Sequence, residues 1–166
     1  YRSMDRLALD AGAYRIEVSL ANPGLIRRDL MGIGTARGAL RRHKAADLAQ
    51  RCRRAATAYL RDALPWGSGD DLQTPEDYVG ALSVLTGLPH TLCRSNMRKV
   101  HDALANMPSV IAGLTRGLPL ELFDTGVVMR EGLAVNFYPS AESLGVALPS
   151  NSPGVNSLWL PAPVFK

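Results

Sequence analysis

The amino-acid sequence predicts a mixed α/β fold, in which a mainly helical N-terminal region precedes a β-hairpin and then a strand, a sharp turn and a helix. Three observations support this prediction. Apolar residues recur at intervals of three and four over much of residues 1–124, which is the period of amphipathic helices. Beyond residue 124 the pattern changes to short alternating runs. Residues 144–148 then form a continuous apolar run.

The composition is that of a globular protein. The chain has 166 residues, of which 46% are hydrophobic and 20% are charged. This length corresponds to one ordinary domain, or to one domain and part of a second. We divide the sequence into a mainly helical region, residues 1–124, and a hairpin with the start of a truncated second domain, residues 125–166. Collagen-like, fibrous and wholly disordered proteins are excluded.

A strand and a long helix are predicted in the first part of the chain. Residues 14–20 alternate between apolar and polar side chains, as in a half-buried strand, and the Asn-Pro-Gly sequence at 22–24 ends it. Residues 35–63 carry an apolar stripe at helical spacing that includes Cys52. The densest group of basic residues, 37–54, lies on the same predicted helix.

Three further helices are predicted next along the chain. The first begins with Thr74 as its cap and Pro75 at its first helical position, and Gly87 closes it. The other two begin near Pro89 and at Pro108. The region before residue 124 therefore contains four successive predicted helices.

The C-terminal part of the sequence is predicted to contain strands. Residues 127–130 and 133–138 flank a Glu-Gly dipeptide suited to a tight hairpin turn. The run 144–148 is short and continuously apolar, as in a strand buried on both faces of a parallel sheet. It leads into the sequence PSNSPG and then into a helix-like segment. This order is that of a strand, a sharp turn and a helix.

The PSNSPG turn is the segment most suggestive of chemistry. In open α/β sheets, ligands bind at the C-terminal ends of strands, where loop backbone and helix N-termini face a crevice. Asn151 lies in this turn, and its side-chain amide can donate to a carbonyl oxygen that becomes negative during nucleophilic attack. The structural alternative is an Asx turn before Pro153. The residues alone leave both interpretations open.

Two stretches of the sequence resemble the aldehyde dehydrogenase superfamily, and more closely its acyl-CoA reductase branch, the LuxC-like fatty-acid reductases. ESLGVALPSNSPGVNSLWLPAPVFK, residues 142–166, resembles the segment that opens the cofactor domain in this branch. QTPEDYVGALSVLTGLPHTLCRSNMRKV, residues 73–100, resembles the helical region that precedes it. Ordinary aldehyde dehydrogenases have aromatic residues beside the Asn that matches Asn151, whereas this chain has Ser150 and Ser152. This departure favours the reductase branch.

The resemblance implies an aldehyde dehydrogenase-like fragment that contains the first strand, turn and helix of a Rossmann-like cofactor domain. It implies reduction of acyl-CoA thioesters to aldehydes, or oxidation of aldehydes, with NADP or NAD and through a cysteine thioester. Asn151 would be catalytic, as an oxyanion donor, and the backbone of Leu148, Pro149 and Ser150 would border the cofactor. The nucleophilic cysteine lies further downstream in the family, so this chain alone is predicted to be inactive. A homo-oligomer is expected, through the hairpin region or the missing C-terminal half.

The cysteines and histidines of this chain are weaker candidates for chemistry. Cys52 and Cys93, the two cysteines, lie on apolar helix stripes, where a thiol is usually inert packing. Three histidines are scattered without HxxxH or HExxH spacing, namely His43, His90 and His101. No metal site is predicted.

The main alternative function is a non-catalytic helical interaction or nucleic-acid-binding module that uses the arginine-rich residues 37–54. Residues 1–64 carry a net charge of +7, whereas residues 65–166 carry −3. The basic residues spread around the predicted helix, however, and aromatic residues do not interleave with them before Tyr59. An ordinary solvated surface therefore explains them better, and a nucleic-acid partner is disfavoured.

The cellular location is predicted from the lack of a membrane span and a signal peptide and from the small number of cysteines. No stretch of the sequence is long and apolar enough for a membrane span, and no signal peptide is evident. Two cysteines fit a reducing compartment. We therefore expect no membrane span and a cytoplasmic location.

Overall fold

The structure is a computed structural model that describes residues 3–66, 70–146, 148, 157 and 159–166. These residues form a mixed α/β structure in which helices predominate. The strands that they contain make three separate two-stranded antiparallel sheets. The coarse fold class predicted from the sequence is confirmed.

The helices and strands follow one another in a simple order along the chain. The helices are α1 (Pro23–Met31), α2 (Ile33–Arg41), α3 (Ala45–Arg61), α4 (Pro75–Thr86), α5 (His90–Ala105), α6 (Met107–Leu114), α7 (Leu122–Thr125) and α8 (Ala162–Phe165). The strands are β1 (Arg6–Ala11), β2 (Tyr14–Ser19), β3 (Leu64–Pro65), β4 (Leu72–Gln73), β5 (Val127–Arg130) and β6 (Leu133–Asn136).

The two longer hairpins are set by turns that contain glycine. The predicted strand at residues 14–20 is β2, and it pairs antiparallel with β1, a strand that was not predicted from the sequence. The predicted hairpin of β5 and β6 is confirmed, with Arg130 opposite Leu133. Glu131 and Gly132 have φ values of 51° and 80°, so both central residues have the positive φ typical of a type I′ turn.

The prediction of one long helix over residues 35–63 is wrong, because the chain breaks between α2 and α3. Lys44 is extended, with φ −68° and ψ 144°, and α3 starts immediately after it. The side chain of Lys44 does not cap α3. Instead Ala45 N donates to Asp124 Oδ1 at 2.9 Å. A carboxylate from a distant part of the chain therefore satisfies a free amide at this helix start.

The three predicted helices after residue 74 are confirmed as α4, α5 and α6. Thr74 and Asp77 form a reciprocal capping box at the start of α4. Gly87 ends this helix in the left-handed conformation, with φ 71°. Because these signals are local in sequence, they fix the boundaries of α4 without help from tertiary contacts.

The core lies mainly between α3 and the helices that pack against it, α5, α6 and α8. The principal buried cluster comprises Ala45, Leu48, Ala49, Met107, Ile111, Phe123 and Val164. A second cluster, Val79, Cys93 and Met97, lies between α4 and α5. Phe123 also packs edge-to-face on Phe137 and Phe165, with ring centroids 4.9 and 4.8 Å apart. These rings join α7, the chain after β6 and α8.

The buried strand predicted at residues 144–148 is not found in the part of that run that the structure describes. Residues 144–146 and 148 are irregular, and Leu144 and Leu148 are 69% and 53% exposed. A strand buried on both faces needs paired neighbours and a covering layer on each face. The sheets within the described ranges are isolated antiparallel pairs, so they offer this run no place in a parallel sheet.

Candidate functional site

Most of the site predicted from the sequence lies outside the described residues. Pro149, Ser150 and Asn151 lie outside the described residues, whereas Leu148 is irregular and exposed. The oxyanion role of Asn151 and the cofactor contacts of the three preceding residues stay predictions.

The two cysteines lie in the helix packing, as predicted. Cys93 is fully buried, and its Sγ donates to Leu88 O at 3.7 Å. Cys52 is half-buried and packs against the core around α3. Burial raises the pKa of the Cys52 thiol, which favours the protonated and less nucleophilic form. The environment of both thiols therefore fits a packing role.

The arginine-rich segment does not form one continuous basic stripe. Arg41 and Arg42 lie at the end of α2, whereas Arg51, Arg53 and Arg54 are exposed on α3. Because successive residues of a helix are rotated by about 100°, Arg53 points away from the face of α3 that Arg51 and Arg54 share. This arrangement gives the alternative of a nucleic-acid-binding module no added support.

A groove of about 600 Å³ lies between α2, α8 and the irregular segment 137–144. We call it the α2 groove. Its apolar wall is formed by Ile33, Leu40, Phe137, Leu144 and Phe165. Smaller cavities that share Phe137 and Pro139 with it adjoin the groove. Its volume is in the range of small-molecule sites, which are commonly about 300–1,000 Å³.

The contacts of Phe137 and Phe165 position the inner wall of the α2 groove. Phe137 N donates to Gly126 O at 2.8 Å, which ties the chain after β6 to the end of α7. Gly126 itself closes α7 with φ 75°. The rings of Phe137 and Phe165 are stacked, with centroids 6.5 Å apart. The groove therefore rests on the same aromatic cluster that joins α7 and α8 to the core.

A buried ion pair lies beside this cluster. Asp124 accepts hydrogen bonds from Lys166 Nζ and from Ala45 N, and the side chains of Asp124 and Lys166 are only 14% and 5% exposed. Burial by itself raises the pKa of Asp124, but the hydrogen bonds from Lys166 and Ala45 outweigh it, so the pKa is lowered. Asp124 is therefore a charged structural carboxylate and not a free general base.

Two arginines and one carboxylate line the mouth of the α2 groove, by which we mean the adjoining smaller cavity. Arg37 and Glu142 line both the groove and this cavity, whereas Arg41 lines the cavity but not the groove itself. Arg37 and Arg41 are four residues apart on α2 and so lie on one face of the helix. Neither guanidinium makes a hydrogen bond or an ion pair with any residue in the described ranges. Glu142 lines the same opening and is exposed. The mouth therefore has two unengaged cations and one competing anion.

In the sequence this arginine pair stands out only as part of the basic segment 37–54. Nothing in the sequence placed Arg37 and Arg41 beside Phe137 and Phe165, about a hundred residues or more further along the chain. The one available signal was the four-residue spacing of the arginines, which puts both on one helix face.

Comparisons with models of protein families, with curated proteins and with solved structures each found no match. Two features, a membrane-spanning helix and a metal-binding cluster, are absent from the described residues. None of their helices combines the length and the apolar character needed to cross a membrane. They also contain no cluster of three or more His, Cys, Asp or Glu side chains that could hold a metal ion.

Proposed function

We propose that this chain is the N-terminal portion of a nicotinamide-dependent acyl-CoA reductase. The observation that carries the proposal is the segment 142–166, whose sequence resembles the opening of the cofactor domain in that branch of the aldehyde dehydrogenases. The order of the described elements supports it as far as the hairpin, since a helical unit is followed by β5 and β6, whereas the strand expected next does not form in residues 144–146.

Asn151 supplies the chemistry that this chain would contribute. The thiolate of a cysteine downstream of residue 166 attacks the acyl-CoA carbonyl, and the carbonyl oxygen becomes negative. The neutral amide of Asn151 donates a hydrogen bond to that oxygen and so stabilises the tetrahedral intermediate. The carbonyl re-forms as the coenzyme A thiolate leaves, which gives an acyl thioester on the cysteine. Aldehyde oxidation uses the same residue for the same task.

The residues before Asn151 would border a nicotinamide cofactor, NADP or NAD. Their donor chemistry fits this role, because Ser150 offers both a backbone N–H and a hydroxyl, and Leu148 and Pro149 add apolar surface. When bound, the cofactor supplies the hydride that reduces the thioester. The part played by Leu148, Pro149 and Ser150 is to position the cofactor beside the carbonyl held by Asn151.

The exposed β5–β6 hairpin supports a homo-oligomeric enzyme. Met129 and Leu133 are 66% and 72% exposed, and each strand of this two-stranded sheet has an unpaired edge within the described structure. Exposed apolar strand edges are commonly covered by another chain. We therefore place a subunit contact at this hairpin.

The proposal is tested by an activity assay on the longer parent protein that contains this chain and the downstream nucleophile. We expect oxidation of NADPH or NADH that depends on added acyl-CoA and yields the aldehyde and free coenzyme A in equal amounts. The 166-residue chain by itself is the matched control and should show no turnover. The proposal would be overturned if the parent showed no turnover with either NADPH or NADH over a series of acyl chain lengths.

A salt titration of duplex DNA binding distinguishes the reductase from the alternative function, a nucleic-acid-binding module that uses residues 37–54. Binding that relies on arginine–phosphate contacts weakens steeply as salt is added. The reductase proposal predicts weak or absent duplex binding by the 166-residue chain. Tight, salt-sensitive binding together with an inactive parent would favour the module instead.

A further inference from the structure

The α2 groove combines an apolar wall with a basic mouth. Ile33 and Leu40 on α2 face Phe137, Leu144 and Phe165 across a cavity of about 600 Å³. Leu144 is among the most exposed apolar side chains of this region, at 69%. Covering such a surface with an aliphatic chain is favourable, at about 25 cal/mol per Å² of apolar area removed from water. The wall therefore suits a hydrocarbon tail.

The arginine pair gives the groove a place for an anionic head group. The Cβ atoms of residues four apart on a helix are separated by about 6 Å, so both guanidinium groups can reach one anion. Arginine binds carboxylates and phosphates through paired N–H donors, and such charge-assisted hydrogen bonds are among the stronger ones in proteins. Arg37 is half-buried, which reduces the screening of its charge by water.

The other charged groups around the groove leave this pair free. Lys166 and Asp124 neutralise each other in the buried ion pair. Glu142 shares the mouth with Arg37 and Arg41, but it makes no ion pair with either within the described structure. The two arginines therefore exceed the one unpaired carboxylate, and the mouth favours an anion.

We propose that the α2 groove binds a single-chain amphipathic anion, with its carboxylate or phosphate head on Arg37 and Arg41 and its aliphatic tail along Leu40, Phe137 and Leu144. This inference goes beyond the proposed reductase, because it rests only on the groove and its charges. It would stand if the parent protein proved to have no reductase activity. Conversely, its failure would leave the role of Asn151 unaffected.

The test is isothermal titration of the 166-residue protein with decanoate and with decyl phosphate, each below its micelle-forming concentration. We expect saturable binding of decanoate, of decyl phosphate or of both. The ligand that binds more tightly shows whether the site prefers a carboxylate or a phosphate head group. Inorganic phosphate, which has the head without the tail, should not bind measurably. Decyltrimethylammonium, which has the tail with the opposite charge, should not bind either. Binding of phosphate alone, or of the cation as tightly as the anions, would overturn the proposal.

Variants of the mouth provide the second measurement. The double variant Arg37→Gln/Arg41→Gln should weaken binding of the anion about tenfold or more, because it removes both charged donors. Arg42→Gln is the matched control, since Arg42 is exposed at the end of α2 and lines neither the groove nor the cavities that adjoin it. It should leave the affinity unchanged. Glu142→Gln should tighten binding a few-fold by removing the competing carboxylate.

A variant of the wall separates the tail contact from the head contact. Leu144→Ser should weaken decyl ligands by several-fold while leaving the thermal unfolding temperature unchanged, because Leu144 is exposed. Circular dichroism on every variant separates lost binding from lost folding. Equal affinities in the wild type and in folded forms of the arginine and Leu144 variants would contradict the proposed site.

Discussion

Replacing Asn151 by alanine in the longer parent protein is expected to reduce turnover about a hundredfold or more, which is the usual cost of removing one oxyanion donor. The amide contributes most when the carbonyl oxygen carries negative charge, so kcat should fall while KM changes little. Steady-state kinetics with acyl-CoA and a nicotinamide cofactor measure both constants.

Asn136→Ala is a matched control for this variant. Asn136 is exposed at the end of β6, and neither the structure nor the resemblance gives it a role in chemistry. Its kcat should be that of the wild type. Unchanged turnover in a folded Asn151→Ala enzyme would show that this amide does not stabilise the oxyanion.

Replacing Asp124 by alanine is expected to lower the free energy of unfolding by about 3 kcal/mol or more. The variant leaves the Lys166 ammonium buried without its partner, and such changes typically cost about 3–5 kcal/mol. It also leaves Ala45 N at the start of α3 without its acceptor. Urea unfolding monitored by circular dichroism measures the change.

Asp102→Ala is the control for Asp124→Ala, because Asp102 is exposed and contacts the neighbouring His101. A change of less than about 1 kcal/mol is expected there, as for most surface ion pairs. An equal loss in the two variants would contradict the structural role assigned to Asp124.

The Asp124 ion pair also predicts the direction of a pH effect. The pKa of Asp124 is lower in the folded protein than its ordinary value of 3.8. The stabilisation is therefore fully present above that value and is lost as the pH falls through the lowered pKa of the folded state. Glu76 and Asp77 also have lowered pKa values, through Arg94 and Thr74, and contribute in the same direction. The difference between the wild type and Asp124→Ala isolates the contribution of Asp124.

Features set by neighbouring residues could be predicted from the sequence. The capping box of Thr74 and Asp77 is complete within four residues, and the turn at Glu131 and Gly132 is complete within its hairpin. Each depends on local backbone chemistry, so the boundaries of α4 and the pairing of β5 with β6 followed from the residues.

Features that depend on distant partners could not be predicted in the same way. Apolar spacing predicted one helix through residues 42–44. Instead a new helix, α3, begins at Ala45, whose N–H donates to Asp124, 79 residues further along the chain. The α2 groove likewise depends on Phe137 and Phe165 meeting α2. Apolar character alone also did not make residues 144–146 a strand, because strand formation requires a neighbour that can pair with it.

Mass spectrometry of the parent protein after incubation with acyl-CoA, in the absence of nicotinamide cofactor, is the decisive test of the assignment to an acyl-CoA reductase. We expect one acyl group per chain, attached as a thioester to a cysteine downstream of residue 166, with release of one coenzyme A. Cys52 and Cys93 should remain unmodified, because both lie in the helix packing. A parent protein that stays unacylated, or that is acylated at Cys52 or Cys93, would contradict the assignment of this chain to an acyl-CoA reductase.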